Sequence, residues 1–402
     1  MRNRIFWMRM IVALFVLIGI LSFALDTYFD YLWYVELGKA AIFTTALYAK
    51  SIIGPLVLLI AFLFLYGNFS FANRASGDIV IKNPTPAGEV MTHTVSKKTI
   101  RRVSVFIATI VAFFLGVGEA NNWEMIWRWL HRVEFKTVDP IFSLDISFFF
   151  FTLPFLNEII RLGLVLSFVA IVFAVLLYYS KGSLSKEHLS LAGVKNRSSL
   201  HLSLLAALIM VLFAASAYLD RFDLLYGNHQ VFSGANYADL HSRIPMLTLL
   251  AIAALAGAAL LVFNAFSTGH RAAIIAVAIY FAVLLIGVLY PAFIQKFIVA
   301  PNELDLESPQ IVHNINATLG AYGLDKVEEL DLSGDKALTP RDIENNAATI
   351  HSIRLWDHEP LLDALKQIQE IRTYYDFVSV DNDRYYSNGE LQQFMLSPRE
   401  LN

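Results

Sequence analysis

The 402-residue sequence contains no cysteine. Disulfides, thiolate metal sites and cysteine nucleophiles are therefore excluded, and cysteine usage says nothing of the redox compartment. Charge is scarce as well: Asp, Glu, Lys and Arg make up 16% of the chain, against a hydrophobic share of 56%. Soluble domains carry roughly 25% charged residues, so most of this chain is not built to face water. Motifs that carry chemistry are missing too. There is no GxSxG, no Walker A loop and no GxGxxG turn, which removes the commonest signatures of serine hydrolases, P-loop NTPases and dinucleotide binding. No catalytic, cofactor-binding or metal-ligating residue is assigned, and a non-enzymatic role is favoured.

What the chain does have is long apolar runs, with a mean hydropathy of +0.54. Residues 272–294 contain no charge over 23 positions, enough for a helix to cross a hydrocarbon core of about 30 Å. Past Lys296 the composition changes. Residues 1–296 hold 23 Lys and Arg against 15 Asp and Glu, whereas 297–402 hold 8 against 19. The expectation is a mostly α-helical integral membrane protein: a seven-span membrane domain over 1–296 and an acidic, extracytoplasmic mixed α/β segment over 297–402, the latter incomplete. The acidic balance argues against nucleic acid as a partner. The lipid bilayer is the first partner expected; other envelope proteins, or further sequence of a longer protein, are the second.

The seven spans are placed at about 7–28, 42–66, 99–118, 156–179, 200–218, 244–266 and 272–294. Pro55 is tolerated inside the second because neighbouring helices can satisfy the freed carbonyl. Pro154 is expected to break a partly embedded aromatic lead-in from the fourth. In the sixth, Ala254, Gly257 and Ala258 offer a small face for close helix contact. Between the third and fourth, Trp123, Ile126, Trp127 and Leu130 recur at helical spacing while Arg128 and Arg132 fall elsewhere, which predicts an amphipathic helix at 121–132 lying in the membrane interface. In the tail, Ser308 and Thr339 are expected as helix caps ahead of Pro309 and Pro340, with Asp342 completing a capping box. HSIRLW is expected to be extended, residues 360–372 helical, and YYDFVSV and ELQQFML to be strands flanking DNDRYYSNG, where Asn388 and Gly389 mark a turn.

Candidate sites are few. The spans hold almost no ionisable side chain, which speaks against an ion or proton pathway. Asp26, Asp30 and Glu36 accompany Tyr28, Tyr31, Trp33 and Tyr34, an aromatic belt with solvated acids. Asp381 and Asp383 around Asn382 have spacing suited to a hard cation but fall short of a calcium loop, so a solvated turn is favoured. His351 and His358 lie seven apart without a third zinc ligand. Asn68, Asn196 and Asn316 each open a short glycosylation match, of a kind that arises by chance.

Several stretches together resemble the uncharacterised bacterial membrane family UPF0182: DYLWYVELG (30–38), DPIFSLDISFFFFTLPF (139–155), YPAFIQKFIVAPNELDLE (290–307), IRLWDHEPLLDALKQIQEIRTYYDF (353–377), DNDRY (381–385, DVDRY-like) and MLSPREL (395–401). The resemblance implies about seven spans and an exported region that in members runs several hundred residues longer, so this chain is expected to be a truncated member or fragment. It brings no catalytic or ligand residue. Pro398 stands where members would read alanine in SARE, and a proline there argues against an uninterrupted strand. The leading functional expectation is an envelope protein whose helices anchor an extracytoplasmic binding or scaffolding domain; a transport or export component is second, and an exported hydrolase third.

Loop charge predicts orientation. The N-terminus and the loops sharing its side carry 14 Lys and Arg against 6 in the opposite loops, which places the N-terminus in the cytoplasm and the tail outside the cell membrane. A reporter active only outside the cytoplasm, fused after residue 300, is expected to be active, and one inserted at 82–98 inactive; the reverse pattern overturns the orientation.

Overall fold

The structure is a computed structural model that describes residues 2–75, 79–84, 90–181, 197–229, 232–267, 270–331, 334, 337–369 and 374–401. The side chains of Lys186, Lys195 and Asn196 lie outside the described residues, as do residues 370–372 of the expected tail helix. Two units result, 1–325 and 326–402. The composition changes at 296, but the first packing unit continues to Asp325.

The first unit is a set of long helices: α1 (Arg2–Glu36), α2 (Ala40–Ala75), α3 (Lys97–Asn121), the short α4 (Trp123–Leu130), α5 (Leu153–Ser180), α6 (Arg197–Asp223), α7 (Ile244–Phe266), α8 (Arg271–Ile294) and α9 (Glu303–Tyr322). Strands β1 (Ile79–Pro84) and β2 (Val90–Val95) form an antiparallel hairpin between α2 and α3. Among the described residues six helices are long and apolar enough to span a membrane. The first expected span falls within α1, a single 35-residue helix. Many large apolar side chains on these helices are exposed, among them Phe106, Phe168 and Phe281. Such a surface is stable in lipid and not in water.

Small residues set how closely the helices approach. A cluster of Ala61, Leu65, Phe69, Ala108, Ala112, Ala170 and Ala174 joins α2, α3 and α5. On α7, Gly257 lies against Ala276 of α8 and Met210 of α6, so the small face read from the sequence is a packing face. Among the described glycines the closest approach is at the crossing of α2 and α3, where a Cβ on Gly116 would stand 2.8 Å from the Gly54 carbonyl oxygen and 2.9 Å from Leu58 Cβ.

Among the described residues three helices carry a widened π turn, and each sits just before a proline. Residues 148–152, 239–243 and 295–299 form π turns, followed two positions later by Pro154, Pro245 and Pro301. Proline has no N–H, and its ring crowds the carbonyl four residues back. The residue ahead of each proline therefore reaches one position further: Leu153 donates to Phe148, Ile244 to Asp239 and Ala300 to Gln295. Pro154 consequently does not separate a lead-in from a helix as expected; the widened turn carries the helix through it.

Other expectations shift. The helix expected at 121–132 is shorter, Trp123–Leu130, and Trp129 stacks on Phe155 with ring centroids 3.9 Å apart. Ser308 does not cap a helix, because α9 begins at Glu303 and holds Pro309 inside it. Gly323 closes α9 with φ of 67°, a left-handed conformation that glycine adopts without strain.

In the second unit, α10 (Pro340–Asn345) starts with the expected capping box, Thr339 and Asp342 each satisfying the other's backbone N–H. It is followed by α11 (Ala347–His351) and α12 (His358–Gln369). HSIRLW is not a strand: His351 ends α11 and the next residues turn toward α12. The stretch DNDRYYS is a strand rather than a turn. It forms β4 (Asp381–Ser387), paired antiparallel with β5 (Glu390–Leu396) across Asn388 and Gly389, whose φ values of 55° and 84° fit a tight two-residue hairpin. YYDF supplies β3 (Tyr375–Phe377), whose partner is β6 (Arg399–Leu401). Pro398 lies between β5 and β6, so the chain pairs with a different strand on either side of it.

The Gly116 contact gives a test of the α2–α3 crossing. Gly116→Ala is expected to destabilise the protein by about 1–3 kcal/mol, because backbone rather than a flexible side-chain tip meets the new methyl. Gly118→Ala meets nothing within 4 Å and should be neutral or slightly stabilising. Thermal unfolding in detergent compares the two; equal effects would mean the helices do not cross this closely.

Candidate functional site

Polar contacts gather at the two ends of the helices. At the end from which the chain leaves α8, here the exit end, Arg161 on α5 reaches Glu119 on α3 at 2.9 Å and also pairs with Glu158. Asn157 on α5 donates to Asp223 on α6, and Arg221 on α6 donates to Thr248 on α7. At the far end, Tyr178, His201 and Asn68 form a chain across α5, α6 and α2, with contacts of 2.9 Å and 3.0 Å. Beside it Lys181 donates to Asn73, which donates to the Lys97 carbonyl.

The most developed cluster is at the exit end around Asp239. Asn236 and Asp239 satisfy each other's backbone N–H, at 2.7 Å and 3.1 Å, a capping-box arrangement that starts the helix leading into α7. The widened turn that follows puts Asp239 and Arg243 four residues apart on one side, 3.0 Å between Nη1 and Oδ1. His229 Nε2 lies 3.2 Å from the other carboxylate oxygen. The Asp239 side chain is 3% exposed, so its charge is held by these groups rather than by water. Asn236 also donates to Gln295 in the π turn at the end of α8. One segment further on, Glu307 of α9, itself buried, accepts the Tyr237 backbone N–H at 2.9 Å. Asn314 of α9 donates to the Ser233 carbonyl, and Val299 is fully buried against Ala238 and Ile294.

Beside Asp239 opens a cavity of about 620 Å³ lined by His229, Arg243, Gln295 and Lys296, with Val288, Pro291 and Ala292 forming an apolar wall. Among the described residues Lys296 has no carboxylate partner; its ammonium lies 5.8 Å from the centre of the Phe297 ring.

The residues singled out from the sequence lie elsewhere. Asp26, Asp30 and Glu36 are exposed along α1, where Tyr31 and Tyr34 pack on Phe43. Asp381 and Asp383 share one face of β4. The Tyr385 hydroxyl, then the Arg384 backbone N–H, hold Asp383 below the usual carboxylate range. His351 lines a cavity of about 420 Å³ with Trp356 and Met395, while His358 opens α12 near Arg354. Among the described residues no three His, Asp or Glu side chains are grouped to hold a metal. Asn68 is engaged with His201 inside the helices, and Asn316 lies within α9. The helices run past the expected spans, and Glu119, Asp220 and Asp223 belong to those added exit-end turns, while His201 stands at the start of the expected fifth span. For Asp239 a sequence signal existed, Asn-x-x-Asp ahead of an apolar run with a proline.

Long apolar helices with buried polar clusters at their ends define a multi-pass helical membrane protein. The chain belongs to the family described as Uncharacterised protein family (UPF0182), whose pattern matches residues 7–402. It is 42% identical over 398 residues to a UPF0182 protein of Trichlorobacter lovleyi, covering 97% of this chain and 44% of that one. It is 37% identical over 403 residues to one of Pelobacter propionicus, covering 100% and 44%. With UPF0182 protein GSU2333 of Geobacter sulfurreducens the identity is 36% over 414 residues, covering 100% and 45%. The chain thus spans less than half the length of these relatives. No solved structure matches it.

Asp239 offers a direct test. Asp239→Ala leaves the buried Asn236 N–H without an acceptor and Arg243 and His229 without their carboxylate. About 3 kcal/mol of destabilisation is expected, the low end for a broken buried pair because Arg243 and His229 are both partly exposed. Asp239→Asn, which keeps an acceptor, should lose less. Urea unfolding in detergent measures both, and an unperturbed Asp239→Ala protein would show the cluster to be incidental.

Proposed function

We propose that this chain is a membrane anchor that holds a rigid exit segment on the extracytoplasmic face and presents the C-terminal unit to another envelope component. One observation carries the reading: the segment after α8 is not a loose linker. Gln295, Val299, Glu307 and Asn314 each contact the loop that precedes α7, so the path leaving the membrane is fixed at four points over 20 residues.

Two features support a binding role over transport. Among the described residues the buried Asp and Glu side chains, Glu119, Asp239 and Glu307, all gather at the exit end, whereas clusters such as Ala207, Met210, Ala258, Leu261 and Ala276 fill the space between α6, α7 and α8. A polar path usually leaves ionisable groups at membrane depth. The C-terminal unit, by contrast, exposes Leu355 at 99% and Trp356 at 55% beside its cavity, apolar surface of the kind that marks a protein contact. In this reading the chain performs no chemistry of its own.

Photo-crosslinking in living cells tests this. A probe at Leu355 is expected to give discrete protein adducts in the membrane fraction, and one at lipid-facing Phe106 none. Adducts absent from both positions, together with solute uptake into proteoliposomes, would replace anchoring with transport.

A further inference from the structure

The exit-end cavity has the chemistry of a lipid site. Its apolar wall, Val288, Pro291 and Ala292, belongs to the last turns of α8, and its cations, Arg243 and Lys296, lie on the π turns at the helix ends. From Val288 to Lys296 the helix climbs eight residues, about 12 Å at 1.5 Å per residue. The lining therefore passes from apolar to cationic over the distance in which a bilayer passes from hydrocarbon to headgroup. The one acid that lines it is already engaged: both carboxylate oxygens of Asp239 hold protein donors, and 3% of the side chain is exposed. Lys296 has no carboxylate partner among the described residues, and Arg243 pairs through Nη1 alone. Positive charge is left over at the mouth.

We propose that this cavity binds an anionic glycerophospholipid, its phosphate against Lys296 and Arg243 and the upper part of an acyl chain along Val288, Pro291 and Ala292. Neither a free phosphate nor a neutral lipid fits both halves. A small anion leaves the apolar wall bare, and a zwitterionic headgroup brings its own cation to a cationic mouth. The chain between α6 and α7 and the start of the exit segment both line the cavity, so a bound lipid touches the elements that fix the path out of the membrane.

The test uses the full chain in nanodiscs of phosphatidylcholine, with or without phosphatidylglycerol, read by native mass spectrometry and thermal unfolding. Retained phosphatidylglycerol and a higher Tm than in phosphatidylcholine alone are expected. Lys296→Gln should weaken retention roughly fivefold, the usual worth of one cation at a membrane surface. Ala292→Trp fills the cavity and should abolish the difference; should that variant fail to fold, Ala292→Leu, a smaller plug, is expected to reduce it. Arg271→Gln, at the opposite end of α8, should change nothing. Equal retention in Lys296→Gln and wild type overturns the site, and equal loss in Arg271→Gln overturns it in favour of diffuse surface charge. A Tm rise of the same size from glycerol phosphate added to phosphatidylcholine nanodiscs overturns the lipid as occupant.

Discussion

A proline cannot donate a backbone hydrogen bond, and three prolines at the exit end of the long helices make that constraint visible. Pro154, Pro245 and Pro301 each follow a π turn in which the preceding residue reaches back five positions rather than four. In lipid an unpaired carbonyl is expensive; widening the turn re-aims the donors without breaking the helix. The side chains on those turns are re-aimed with them. Phe149 enters the cluster with Leu153, Leu219 and Phe222, Asp239 turns inward to meet His229 and Arg243, and Val299 is buried under the loop before α7.

The rest of the membrane unit depends on close approach rather than on polar contacts. Glycine and alanine at the crossings let backbones come near, as at Gly54 with Gly116 and Gly257 with Ala276. That leaves little volume for polar side chains at mid-depth, and the buried carboxylates accordingly sit at the exit end. There they tie one segment to another: Glu119 on α3 to Arg161 on α5, Asp239 to His229 of the preceding loop, and Glu307 on α9 to the Tyr237 backbone. A charge buried at such a place is stable only while its partner stays, so these ties also fix the loops that carry them.

The exit segment shows what this arrangement allows. Because Gln295, Glu307 and Asn314 are held by residues between α6 and α7, the end of α8 and the helix after it belong to the same packing unit as the long helices. The same geometry leaves a cavity whose lining changes from apolar to cationic. The proposed anchoring of the exit segment and the proposed lipid site thus rest on one set of contacts.

Much of this was legible in the sequence. Apolar runs of 20 or so residues located the helices because an isolated span must satisfy its own backbone, whatever surrounds it. The capping box at Thr339 and the turn at Asn388 and Gly389 were legible for the same reason: each is a contact between residues a few positions apart. Strand pairing in the tail was only half legible, since DNDRYYS looks polar enough for a turn and becomes a strand by pairing with Glu390–Leu396. The candidate site was not legible. His229, Asp239, Arg243 and Lys296 span 68 positions and two helices, and neither a π turn nor a shared cavity leaves a local mark beyond a proline. Local hydrogen bonding and hydrophobic length were decided by the sequence alone; which charged ends meet was decided only when the helices packed, because that depends on where small residues let them cross.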